Sequence, residues 1–210
     1  MPPRGRRPPP PIVLTEQPVA DAIPIGRDAV RLGPRGHVWR SDADATVVWV
    51  EALDRGDPKV EVPHRDVLKT QDVSGGVAQD PVEVLRTEFR CKGVYWGDEE
   101  CSLVLESEWK TRRSRWWNVA PGAASPPSDP YLEYHIDDRY NHPGSPMTVR
   151  LPNNHRILLK EDDKLVFNGV GGSDEGDRPF LDLRPLKPSD GGDIDRIWRC
   201  GSDCFEVPVA

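Results

Sequence analysis

Helical periodicity is almost missing from this chain of 210 residues. No window carries apolar residues at i, i+3, i+4 and i+7 through three turns, which excludes a helical bundle. No run of about 18 apolar residues occurs either, so no membrane-spanning helix and no membrane partner are expected. Positive charge is in deficit. Lys and Arg number 28 against 35 Asp and Glu, a net charge of −7. Binding along a phosphate backbone needs a basic surface, so nucleic acid is not an expected partner. Cysteine is sparse: Cys91, Cys101, Cys200 and Cys204. There is no CxxC pair, and Cys200-x-x-x-Cys204 has no pair of histidines nearby to complete a zinc site. The expectation is four reduced thiols, mostly packed in strands, and no metal or cofactor. The five histidines, His37, His64, His135, His142 and His155, never fall at metal-ligand spacing on one element.

Proline and glycine are abundant, at 23 and 18. They are spread along the chain, which marks frequent turns more than one disordered tail. The start, "MPPRGRRPPPP", is basic and proline-rich. It has neither the apolar centre of a secretory signal nor the length of a transit peptide. Residues 1–22 therefore read as a flexible leader or the artefact of a truncated gene model. Beyond them come short apolar or alternating runs bounded by Gly, Pro, Asp and Asn. The predicted strands are Thr46–Ala52, Phe89–Trp96, Ser102–Trp109, Arg115–Val119, Leu132–Ile136, Met147–Leu151, Arg156–Lys160, Lys164–Asn168, Phe180–Arg184 and Asp195–Arg199. Strands of this kind with turns between them define an all-β class.

A faint repeat links "VWRSDADATVVWVEA" (Val38–Ala52) to "VYWGDEECSLVLESE" (Val94–Glu108). Each has an aromatic strand end, a small residue plus Asp, an acidic turn, then an apolar strand ending near Glu. A poorer third copy is expected at "VRLPNNHRILLK" (Val149–Lys160). Self-similarity at roughly 40–56 residues, with about four strands per period, points to β-propeller blades. The inner strands of a blade lie between neighbours and should be apolar on both faces, as "TVVWV" and "SLVL" are. The Asp of each acidic turn is expected to accept hydrogen bonds from the backbone N–H groups that follow it.

Five collinear stretches carry a likeness to one family. They are "IPIGRDAVRLGPRGHVWRSDADATVVWVEALDRGDPKVEVPHRDVLKTQ" (Ile23–Gln71), "LVLESEWKTRRSRWWNVAPG" (Leu103–Gly122), "HPGSPMTVR" (His142–Arg150), "FNGVGGSDEGDRPFLDLRPL" (Phe167–Leu186) and "RIWRCGSDCFE" (Arg196–Glu206). From about Ile23 to about Val207 the chain resembles the plastid glutamyl endopeptidases, serine peptidases of the prolyl oligopeptidase group. The resemblance implies a β-propeller set over an α/β-hydrolase domain, with this chain matching part of the propeller only. The expected fold is an incomplete β-propeller of about three to four four-stranded blades, roughly 34–90, 91–140 and 145–200. A ring of about seven blades would need roughly 300 residues or more. The expected partners are peptide substrates, reached through a catalytic domain, and further copies that cover open blade edges. The resemblance also implies the plastid stroma, although no clear transit peptide is present. The competing reading is a stand-alone β-repeat module that binds proteins or peptides.

Catalytic constellations are missing. An α/β-hydrolase carries its nucleophile in G-x-S-x-G, followed by Asp and then His. The nearest string, Gly171-Gly172-Ser173-Asp174-Glu175, fails at its last position, and no His follows it. Ser173 is expected to be a loop serine. "GVGGSDEGD" (Gly169–Asp177) lacks the Lys-Ser/Thr ending of a phosphate loop and reads as a flexible connection. Glu99-Glu100, Asp137-Asp138 and Glu161-Asp162-Asp163 read as solvated turns. His64, in "EVPHRD", is expected between blades. One stretch stands out: "EWKTRRSRWWNV" (Glu108–Val119) places four cations among three tryptophans. Trp109, Trp116 and Trp117 are expected in strands, packed between blades. Lys110, Arg112 and Arg113 fall at the connecting hairpin. By the resemblance they are candidates to pair with the carboxylate of an acidic peptide. Alternatively they form a solvated hairpin whose cations pair with neighbouring acidic turns, at little energetic gain.

Overall fold

Strand alternation and turn chemistry generate sheet after sheet in the computed structural model, which describes residues 11, 13–17, 19–123, 125–187 and 193–208. The first sheet is an antiparallel meander of β1 (Pro34–Trp39), β2 (Thr46–Ala52), β3 (Asp66–Asp72) and β4 (Val82–Thr87). The second repeats it with β5 (Arg90–Asp98), β6 (Cys101–Glu108), β7 (Arg113–Val119) and β8 (Leu132–His135). After these come β9 (Ser145–Pro146), β10 (Thr148–Arg150), β11 (Arg156–Leu158), β12 (Lys160–Glu161), β13 (Lys164–Gly169), β14 (Gly172–Ser173), β15 (Gly176–Asp177), β16 (Phe180–Pro185) and β17 (Asp195–Arg199). The third large sheet has the order β12-β13-β16-β17, with β9 also on β13. Helix is limited, among the described residues, to two 3-10 turns at Ala20–Ala22 and Ser74–Gly76. The fold is all-β.

The faint repeat is a repeat of strand register. In the first sheet Pro34 faces Glu51, Arg35 faces Val50, Val38 faces Val48 and Trp39 faces Val47. In the second, Arg90 faces Ser107, Cys91 faces Glu106, Val94 faces Val104 and Tyr95 faces Leu103. Every one of these pairs is its counterpart displaced by 56 positions. Both ladders even slip by one residue at the same place, between Arg35 and Val38 and between Cys91 and Gly93. The correspondence ends after the second strand, because β2 and β3 are joined by residues 53–65 whereas β6 and β7 are joined by a short turn.

Stacking explains the strands that are apolar on both faces. Val104, Trp117 and Val119 of the second sheet pack on Val48, Leu68 and Leu85 of the first. The reverse face offers Leu103 and Trp116 to Leu158, Leu165 and Phe167, together with Tyr131 and Cys101. Each such aliphatic side chain contributes roughly 1.5–3 kcal/mol when fully buried.

Several expectations need correction. β1, β3 and β4 were not predicted. The reason is local: β1 contains Pro34 and Gly36, and β3 and β4 carry charges such as Lys69 and Glu83 among their apolar residues. Val149–Lys160 folds as the expected strand, turn and strand, but β10 and β11 form a two-stranded sheet of their own, and only Lys160 enters the third large sheet, in β12. His64 lies in the β2–β3 connection of the first sheet, not in the chain between repeats, although it lines a cleft with Trp117 of the second. Trp109 lies past the end of β6 and is 46% exposed, while Trp116 and Trp117 are buried as expected. The Gly169–Asp177 stretch forms the β14–β15 hairpin, where the Ser173 hydroxyl donates to the Gly176 carbonyl at 2.7 Å. A Cβ at Gly169 would run into the Phe180 ring, so glycine is required there by packing. Of the four thiols, Cys91 and Cys101 lie in strands, but Cys200 and Cys204 lie beyond β17. Burial pushes the Cys91 and Cys101 thiols up to about 12, which keeps them protonated.

One buried cation joins the first two sheets. Arg90, 2% exposed, opens β5. Its Nη2 donates to Asp54 Oδ2 at 2.6 Å and its Nη1 to Asp66 Oδ1 at 2.7 Å. Nε donates to the Asp28 carbonyl at 2.9 Å. Asp66 Oδ2 also accepts from the Cys91 backbone N–H and from Arg35. Asp54 holds the Gly56 N–H and Arg65. Removing one partner of such a group leaves buried charge uncompensated, at a cost of roughly 3–5 kcal/mol. Arg90→Leu is therefore expected to lower unfolding stability by about that amount in urea titration, and a loss under about 1 kcal/mol would show the cluster to be incidental.

Candidate functional site

The cationic hairpin sits at the β6–β7 turn, where Arg112 adopts φ 57. Its guanidinium is bidentate to Asp137, with Nε to Oδ2 at 2.9 Å and Nη2 to Oδ1 at 2.7 Å. It also lies 4.5 Å from the centroid of Trp109. Arg27 lies over the same indole at 4.4 Å. Arg113 pairs with Glu133, and Arg115 bridges Glu133 and Glu88 at 2.5 Å each. Lys110 is exposed and has no carboxylate partner among the described residues. Burial pushes Glu133 upward, yet Arg113 and Arg115 outweigh it and hold the carboxyl below its ordinary value. Asp137 is held low by its bonds to Arg112. Lys110 and Arg112 thus lie in the turn and Arg113 opens β7, but Arg112 and Arg113 already have carboxylate partners just past β8 and within it.

A meander puts alternate turns at opposite edges, so the β1–β2 and β5–β6 turns share the edge away from this hairpin. There they line a cleft of about 730 Å³ with Trp39, Asp42, Asp44, Asp98, Glu99 and His155. An adjoining cleft of about 680 Å³ shares Arg40, Asp42, Ala43 and Glu99 with it. The two acidic turns are built differently. Asp98 Oδ1 accepts the Glu100 N–H at 3.0 Å, as expected for an Asx turn. Asp42 instead takes the Arg40 guanidinium, with Nε and Nη2 at 3.1 and 2.6 Å. Arg40 in turn lies 4.4 Å over Trp96. Asp98 also pairs with Lys160 at 2.6 Å, tying the second sheet to β12.

The histidines are used locally. His37 stacks on Trp49 at 5.8 Å, and His135 and His142 accept backbone N–H groups through Nδ1. Among the described residues, no group of three or more His, Cys, Asp or Glu is arranged to hold a metal ion. A third cleft, of about 390 Å³, gathers Arg184, Arg196 and Arg199 between the second and third sheets. Sequence reasoning missed it. The alternation of Asp182 and Arg184 along β16 was the available signal, but Arg196 and Arg199 join them only through strand pairing.

No protein-family profile matches the chain, and no solved structure matches it. Two curated proteins do. One is named "Probable glutamyl endopeptidase, chloroplastic", from Oryza sativa subsp. japonica, 35% identical over 203 residues. The other bears the same name, from Arabidopsis thaliana, and is 34% identical over 204 residues. The chain is similar to one part of the plastid glutamyl endopeptidases. The match takes in 94% of the chain but only 21% of each relative, so the chain spans about one fifth of the length of these endopeptidases.

Asp28 links the segment before β1 to the second sheet and gives a test of this electrostatic arrangement. Its Oδ1 accepts Lys92 at 2.8 Å and its Oδ2 the Trp109 N–H at 2.7 Å. Burial raises its pKa, but Lys92 and the Trp109 N–H prevail, and it falls below the ordinary 3.8. A depressed carboxylate contributes stability above its unfolded pKa, and this is lost as pH falls through the folded value. Asp28 has φ 60, a conformation that Asn tolerates well. Asp28→Asn is expected to cost about 1–2 kcal/mol at pH 7. The difference from wild type should close below about pH 3 in denaturation at a series of pH values. A penalty that does not change with pH would contradict the charge assignment.

Proposed function

We propose that the chain is a non-catalytic sector of the β-propeller of a glutamyl-endopeptidase-like serine peptidase, acting in the plastid stroma. The observation that carries the reading is the 34–35% identity along 94% of the chain to two chloroplast glutamyl endopeptidases. The repeated strand register of the first two sheets supports it, because tandem units of equal geometry are what a propeller requires. In this reading the blades are the units at 34–87, 90–135 and 145–199. The residues here carry no G-x-S-x-G, so this sector contributes no nucleophile. Its role is to cover the active site and to admit peptides by size and charge. Lys110, Arg112 and Arg113 belong to that screen as a recruiting cluster for acidic peptides. Lys110 has the freest charge, and its two neighbours have Asp137 and Glu133 to exchange for a substrate carboxylate.

The decisive experiment exchanges parts. Replacing the matching fifth of the rice relative with this chain is expected to give a hybrid that still cleaves after Glu. The chain alone should turn over no Glu-containing fluorogenic peptide. Lys110→Gln with Arg112→Gln and Arg113→Gln in the hybrid should raise KM for Glu substrates by about tenfold, and for neutral ones much less. A folded hybrid without activity, or cleavage by the chain alone, would remove the reading. An equal KM change for both substrates would remove the recruiting role.

Association supplies an independent check. Large apolar side chains remain exposed at both ends of the array. Val38 and Trp39 in β1 are 54% and 56% exposed, and Ile197 and Phe205 are 51% and 69% exposed. Surfaces of that kind favour self-association. Sedimentation velocity should therefore show a mass that rises with concentration. A sharp monomer at every concentration would favour the second reading, a stand-alone peptide-binding module.

A further inference from the structure

We propose that the cleft between the second and third sheets is a binding site for the carboxylate of an acidic peptide segment, held by Arg184, Arg196 and Arg199. This site is distinct from the β6–β7 hairpin and does not depend on the peptidase reading. It lies between β8 and the β16–β17 pair, with a volume of about 390 Å³.

Charge carries the assignment. Asp182 is fully buried at the base of β16. Both its oxygens are taken by Arg196, at 2.7 and 3.0 Å. Arg184 reaches Asp182 only at 3.4 Å. Arg199 has no carboxylate partner among the described residues. Glu133, on the opposite wall, is committed to Arg113 and Arg115. Three guanidinium groups therefore share one carboxylate, Asp182, already bonded on both oxygens by Arg196, which leaves two positive charges in excess.

Hydrogen bonding adds a second observation. Arg184 is 7% exposed, and its Nη2 donates to the Pro143 carbonyl at 3.1 Å. Its Nε is buried with no acceptor. An orphaned charged donor is costly, and Arg184 lines the cleft that an anion would enter. Burial also lowers the Arg184 pKa from its ordinary value, and a bound carboxylate would oppose that shift.

The walls select the anion. Leu132 and Ile194 give apolar surface, and Tyr140 and Asn141 give polar contacts beside it. A free phosphate would leave those apolar walls uncovered. A carboxylate on a short aliphatic stem, followed by peptide backbone, uses both. The planar guanidinium fork matches a carboxylate through paired hydrogen bonds. A cleft of this volume falls within the range of ordinary ligand pockets.

The test titrates the purified chain by calorimetry with N-acetyl-Glu-Glu-amide, its Gln-Gln counterpart and inorganic phosphate. The Glu peptide should bind about tenfold or more tightly than the Gln peptide, and phosphate should not displace it. Arg199→Gln, at an exposed position, should weaken the Glu peptide about fivefold or more with an unchanged Tm. Arg184→Gln should do the same if it folds. Arg86→Gln, on β4 of the first sheet and outside both cationic sites, should leave binding unaltered. Equal binding of the two peptides, displacement by phosphate, or wild-type affinity in Arg199→Gln would overturn the assignment.

Discussion

The array depends on a guanidinium that is almost wholly shut off from water, that of Arg90. Arg90 spends its donors on Asp54 and Asp66, from the first sheet and its β2–β3 connection, and on the carbonyl of Asp28 before β1. It does so while beginning the second sheet. Apolar packing between the sheets is not directional, so it sets proximity but not register. A buried Arg with two carboxylates in fixed positions supplies the register, because any slip would strand charge out of reach of compensation. Asp66 extends the same control to the backbone by accepting the Cys91 N–H.

Similar devices recur along the chain. Glu106, fully buried in β6, accepts the Phe89 N–H and Trp117 Nε1 at 2.7 and 2.9 Å. Burial pushes its carboxyl above the ordinary range despite those donors and nearby Arg115. Asp182 does comparable work in the third sheet with Arg184 and Arg196. The clusters differ in access. Around Arg90 three guanidinium groups share two fully buried carboxylates. Around Asp182 the cations again outnumber the carboxylate, and a cleft opens beside them. A structural latch and a candidate anion site are thus built from the same residue types, separated by access to solvent.

The sequence showed some of this at residue level. β2 and β17 match their predicted spans at both ends, Thr46–Ala52 and Asp195–Arg199. β2 is legible because an unbroken apolar run flanked by turn residues has few alternatives. β3 and β4 were not legible, since their charged residues look like loop until Lys69 is seen paired with Glu51 across the sheet. The 56-residue likeness was visible through the β1–β2 and β5–β6 pairs, and it faded where the following connections differ in length. At the hairpin, the cations and the possibility that acidic turns neutralise them were both readable. Which carboxylates do so was not: Asp137 follows β8 and Glu133 lies within it, 25 and 20 positions away.

What the sequence alone determined was the class of architecture, the similarity to one part of the plastid glutamyl endopeptidases and the lack of a G-x-S-x-G string. Those follow from local alternation, turn residues and the order of short motifs, which survive in one dimension. Tertiary structure alone decided that Trp109 is exposed, that His64 lies in the β2–β3 connection, and that Arg184, Arg196 and Arg199 share a cleft. The physical reason is that burial and charge balance depend on what the antiparallel ladder and the neighbouring sheet bring alongside a residue, and neither is encoded by its neighbours in the chain.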